Sequence, residues 1–156
     1  MTDAAPQSPA ETPSPLPVMR RSRELAVQLL YQVDLGGSGL TPDLLGDFFT
    51  QAREAEPFSE MRPRDYAKLQ RLASEMVREV WQKHRQLDEL LTKHSANWTL
   101  TRMAAVDRNI LRLALFELLH CGEIPSAVTI NEAVELAKTF GDQESWRFVN
   151  GLLDFI

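Results

Sequence analysis

Arg20, Arg21 and Arg23 form the tightest cluster of cations in the chain. They fall in the first turn of a helix predicted over Met19 to Leu35, where Ala26, Leu29, Leu30 and Val33 supply the apolar stripe and Gly36-Gly37 the stop. Cations at a helix N-terminus oppose the macrodipole, so helix stability does not explain them. Two explanations stay open on spacing alone: an external anion, or an ordinary solvated helix end.

Acid–base chemistry has one candidate group. Asn131, Glu132 and Glu135 share a face near the start of a helix predicted over Ala127 to Phe140. Acids are favoured at that end electrostatically, so structural use outweighs catalysis there. Gly36-Gly37-Ser38-Gly39 lacks the lysine and following helix of a phosphate loop. His84, His94 and His120 do not fall at i, i+4, and no acidic cluster completes a metal site. Cys121 stands alone, which excludes an intrachain disulfide, and its apolar neighbours suit a packed thiol better than a nucleophile. The pattern is that of a binding surface, with no catalytic residues, metal or cofactor expected.

The elements that position these residues are helical throughout. Met103 to Leu119 is apolar on nearly every side, with Met103, Val106, Ile110, Leu113 and Ala114 in one stripe and Leu111, Leu115 and Leu118 in another. A surface helix needs only one stripe, so this one is predicted to be the buried centre of the domain. Its polar residues Asp107, Arg108, Arg112 and Glu117 must then find partners or reach the surface, because an unpaired buried charge is costly. Around it the periodicity predicts helices over Thr41-Pro42 to Ala55, Pro63 to Arg85, Leu87 to His94, and Gln143 to Phe155 with Asp142 as N-cap. Asn97-Trp98-Thr99 leads into the central helix, and Gly141 is expected at the C′ position of the sixth. Gly151 sits inside the last helix, where close packing against a neighbour would account for it. No stretch alternates as a strand does. The fold class is all-α, with about seven helices.

Residues 1 to 18 carry five prolines and no apolar period, which predicts a disordered tail followed by one domain over 19 to 156. Hydrophobic content of 44% and charged content of 25% are those of a soluble globular chain. The net charge of -5 argues against a protein coated in nucleic acid but permits a local basic patch. With no secretory or membrane-spanning run, the expected location is cytoplasmic.

Arg21 to Tyr31, RSRELAVQLLY, resembles the opening basic helix of the NusB family of bacterial transcription antitermination factors. Asp107 to Ala114 with Phe116-Glu117-Leu118 resembles that family's central helix. Ile124-Pro125 with Val128, Ile130 to Lys138, and Phe148 to Asp154 resemble its C-terminal part. The likeness runs in order over residues 20 to 156. It implies two packed helical subdomains and binding of boxA RNA jointly with NusE, a ribosomal small-subunit protein. It further implies a place in the complex that keeps RNA polymerase reading through terminators on ribosomal RNA operons. The proline-rich tail and the acidic total charge depart from the family pattern. A similar helical domain precedes the methyltransferase domain of some ribosomal RNA cytosine methyltransferases, so an enzyme fragment is the alternative.

Physical chemistry suits that implied RNA role. Arginine's planar donor fork matches phosphate and base edges. Single-stranded RNA also needs flat stacking surfaces, for which Tyr31 and Phe148 are candidates, although aromatics at helical spacing commonly serve the core. Gln28 lies two turns after Arg21 and one before Tyr31, so one helix face presents all three. Arg23 is turned away from that face and would serve a different phosphate. The resemblance and its place on the buried helix make Asp107 the candidate for partner contact.

Overall fold

The structure is a computed structural model that describes residues 15–95 and 100–156. The predicted tail up to residue 14 and the Asn97-Trp98-Thr99 lead-in lie outside the described residues. Among the described residues there are seven α-helices and no strand. They are α1 (Pro15–Gly36), α2 (Pro42–Ala52), α3 (Pro63–Gln82), α4 (His84–His94), α5 (Ala105–His120), α6 (Ser126–Phe140) and α7 (Ser145–Phe155), with 3-10 turns at Phe58–Glu60 and Leu100–Arg102. None of these helices is long and apolar enough to cross a membrane.

The centre is α5. It packs against α1, α3, α4, α6 and α7, while α1 lies along α3 and α6 along α7. Its residues from Asn109 to Glu117 are all buried, as the double apolar stripe requires. Each fully buried Leu or Ile in this helix contributes about 1.5–3 kcal/mol relative to exposure.

Helix ends follow local chemistry, with informative departures. α1 begins at Pro15, four residues before the predicted start, so positions 15 to 18 belong to the helix and not to the tail. Pro15 and Pro17 are compatible with this because first-turn residues donate no intrahelical hydrogen bond. Thr41 caps α2 as predicted, its Oγ1 accepting from the Leu44 N–H at 3.1 Å with Pro42 at the first position. The long predicted third helix breaks at Lys83, whose ψ of 6° lies outside helical geometry, and α4 starts at once.

Two glycine expectations change. Gly141 has φ -90° and ψ -176°, which is extended and not left-handed. Glycine is required there by space: a Cβ would collide with the Ser145 side chain and lie 2.7 Å from the Ala137 carbonyl oxygen. At Gly151 the close packing expected from sequence is missing, since a Cβ there would meet nothing within 4 Å.

Candidate nucleic-acid interface

Because α1 starts at Pro15, the arginine cluster sits in and beyond the second turn and not at the helix end. The dipole effect fades within the first turn, so it places little penalty on these residues. Each arginine instead has a carboxylate partner.

Arg23 departs from the role expected of it as a phosphate contact. Its side chain is 4% exposed, and its fork grips an equally buried Glu117 of α5, Nε to Oε1 at 2.6 Å and Nη2 to Oε2 at 3.2 Å. Thr129 Oγ1 of α6 donates to the same Glu117 carboxylate at 3.0 Å. This contact ties α1, α5 and α6 together, and a phosphate cannot reach it without opening the core. The reason is rotational. Arg23 stands one turn before Ala26 and Val27 and two before Leu30, on a flank of α1 where all three are buried.

Arg20 and Arg21 remain at the surface, each with a 46% exposed side chain. Arg20 makes a two-point contact with Glu132 of α6, Nε to Oε2 at 3.1 Å and Nη2 to Oε1 at 2.8 Å. These bonds and the charge of Glu132 raise the Arg20 pKa above its ordinary value. Arg21 Nη1 pairs with Glu24 one turn along at 2.9 Å. Gln28 is half-buried and Tyr31 is 38% exposed, on the same side of α1 as Arg21. Phe148, on α7, is half-buried and packs partly on the core.

Asp107 likewise departs from the partner-contact role expected of it. It is only 7% exposed, so its carboxylate is not presented on a surface. Burial pushes its pKa up, a hydrogen bond with Ser145 of α7 works against this, and the nearby Asp142 charge adds to the rise. Among the described residues, Oδ1 of Asp107 has no hydrogen-bond partner. The side chain therefore belongs to the α5–α7 junction. There Asp142 Oδ1 braces the turn into α7 by accepting from the Glu144 and Ser145 N–H groups at 2.9 and 3.0 Å.

The other charges of α5 find partners, as their burial demands. Arg108 donates to Asp34 Oδ2 from Nε at 2.8 Å and Nη2 at 2.6 Å. Arg112 forks onto Asp88 at 2.7 Å through both Nε and Nη2 and donates to Asn109 Oδ1 at 3.0 Å. Burial alone would raise the Asp34 pKa, but the Arg108 hydrogen bond and the Arg112 charge outweigh it and hold the carboxyl below its usual value. The need for such partners could be read from the sequence, but Asp34, Asp88, Glu132 and Thr129 could not. Nothing in local spacing marks a contact made 112 residues away, as between Arg20 and Glu132.

Among the described residues, no group of three or more His, Cys, Asp or Glu side chains could hold a metal ion. Along α1 the surface offers the exposed guanidinium groups of Arg20 and Arg21, the half-buried Gln28 amide and the exposed Tyr31 ring, side-chain types suited to an anionic polymer.

A family model described as the NusB family matches residues 20–156, beginning at Arg20 itself. The chain belongs to the NusB family. It is 44% identical to the transcription antitermination protein NusB of Myxococcus xanthus over 135 residues, covering 86% of this chain and 91% of that one. Against its counterpart in Geotalea daltonii it is 42% identical over 140 residues, covering 88% and 92%. Among solved structures it is similar to T. maritima NusB, with a TM-score of 0.68, 31% identity and coverage of 86% and 87%. It is also similar to a chain in the crystal structure of antitermination factors NusB and NusE in complex with dsRNA, with a TM-score of 0.69, 25% identity and coverage of 89% and 95%. The seven-helix NusB fold thus holds across this chain's described residues.

Proposed function

We propose that this chain is a transcription antitermination factor that binds boxA RNA together with NusE, in the complex that keeps RNA polymerase reading through ribosomal RNA operons. The observation that carries the reading is the family match over residues 20–156. A relative of the same fold is described in complex with NusE and dsRNA, which supports both partners. The role is binding without catalysis, exercised in the cytoplasm. The relatives found at 40% identity and above are named as antitermination proteins, which favours this reading over a methyltransferase fragment.

The RNA site is assigned to Arg20, Arg21, Gln28 and Tyr31 on α1 with Phe148 on α7. Glu132 engages two of the five N–H donors of Arg20 and leaves the rest to a phosphate. Arg23 acts from the interior by locking α1 to α5. Asp107 bears on partner binding through the α5–α7 junction it fills, not through direct exposure.

The test is a salt series of boxA RNA binding, with and without NusE. Arg20→Ala combined with Arg21→Ala should weaken binding and flatten the salt slope by roughly 0.7 per lost single-strand phosphate contact. Phe148→Ala should cost about 1–3 kcal/mol of stacking with the slope nearly unchanged. A folded double-arginine variant with unchanged affinity and slope would remove the site from α1.

A further inference from the structure

The α1 arginines are all held by carboxylates of the protein itself. A row of cations without such partners stands elsewhere. Arg64, Lys68, Arg71 and Arg78 are exposed on α3, and among the described residues none of them takes part in an ion pair or side-chain hydrogen bond. At 3.6 residues per turn they fall within roughly a quarter-turn of the helix circumference and span about 21 Å of its length. The opposite side of α3 is the one that Tyr66, Leu69, Ala73, Val77 and Val80 bury.

The Arg64–Lys68–Arg71 part of this stripe places like charges next to one another. Arg64 and Lys68 stand at i, i+4 and Lys68 and Arg71 at i, i+3, spacings at which like charges repel. Arg64 lies in the first turn of α3, where a cation opposes the dipole, although Asp65 beside it has the favoured sign. Glu75 is the single acid within the stripe, between Arg71 and Arg78. In a chain of net charge -5, such a row marks a place for an external polyanion.

We propose that the α3 stripe of Arg64, Lys68, Arg71 and Arg78 is a second RNA-contacting surface, which takes the phosphate backbone flanking the element held at α1. It rests on the RNA role assigned above and extends that site to a different helix. Continuity comes from the packing. Lys83, at the end of α3, lies over the Phe116 ring of α5 at 5.7 Å, next to the Glu117 that anchors Arg23. The C-terminal end of α3 therefore adjoins the end of α5 to which α1 is tied. Contacts of this kind are made to phosphates, carry no base specificity and depend steeply on salt.

The experiment uses the full chain and two RNAs, a short boxA RNA and the same RNA extended by about fifteen uridylates. The wild-type protein should bind the extended RNA several-fold more tightly. Lys68→Ala, Arg71→Ala and Arg78→Ala combined should abolish that gain, leave the short RNA unaffected, and lower the salt slope on the extended RNA by roughly 2 for three lost contacts. Its thermal midpoint should match the parent's, because the three side chains are exposed. A variant that keeps the length gain overturns the proposal and turns the stripe towards an acidic protein surface instead. Equal weakening on both RNAs, or no length gain in the parent, also overturns it. Failure of the α1 site itself reads out separately, as an Arg20 and Arg21 double variant that binds the short RNA normally.

Discussion

Arg23 and Glu117 stand 94 positions apart in the chain and meet at 2.6 Å with both side chains 4% exposed. The pair joins the helix that carries the surface arginines to the helix at the centre of the fold. Its position separates two roles within one short basic segment: Arg23 holds α1 in place, while Arg20 and Arg21 face solvent.

Removing one member of this pair leaves the other charge buried. Arg23→Ala should destabilise the fold by about 3–5 kcal/mol, with only Thr129 remaining to Glu117. Replacing both by apolar residues of similar volume should cost much less than the single change. Arg21→Ala, at an exposed pair, should shift stability by less than about 1 kcal/mol. Denaturant titration of the three variants tests the assignment, and equal costs for Arg21→Ala and Arg23→Ala would refute it.

Asp107 gives a pH dependence of definite sign. Its folded-state pKa is raised by burial, so the folded protein binds the proton more tightly than the unfolded chain does. The associated stability is fully present below the ordinary carboxylate pKa and is lost as pH rises through the raised value. Asp107→Asn, which mimics the protonated form, should therefore stabilise the protein by about 1 kcal/mol at neutral pH. The advantage over the parent should shrink as the solution is acidified towards the ordinary carboxylate range. Thermal midpoints across pH measure this, and an advantage that grows with acid would contradict it.

Gly151 occupies a helix interior with open space where its Cβ would stand. Gly151→Ala should raise stability by roughly 0.5–1 kcal/mol, from better helix propensity and a less flexible unfolded chain. Chemical denaturation would show it. A loss of stability would mean that the residue meets a neighbour after all.

Leu113 lies 1% exposed in α5. Leu113→Asp places an unpaired charge in the centre of the fold and should abolish the folded state. A cooperative thermal transition near the parent's midpoint would show that α5 is not central.

Helix class, the central place of α5 and most helix boundaries were legible in the sequence because they rest on local patterns. Apolar stripes at 3.6-residue spacing identify α5 as buried, and Thr41-Pro42 marks the start of α2, since both act within a turn or two of themselves. The basic α1 segment was also legible, along with its likeness to the NusB family. The tertiary structure alone decided which of its arginines remain available. Arg20, Arg21 and Arg23 carry the same charge, and helix rotation already turns Arg23 away from Arg21, but what α5 and α6 place against each of them could not be read from the sequence. Glu117 and Thr129 meet Arg23 in the interior, while Glu132 meets Arg20 at a surface that stays open. Asp107 follows the same logic: the Ser145 hydrogen bond and the Asp142 charge that act on it beside its burial are brought there by folding. A side chain's charge is local, whereas its desolvation and its partners are set by segments distant in the chain.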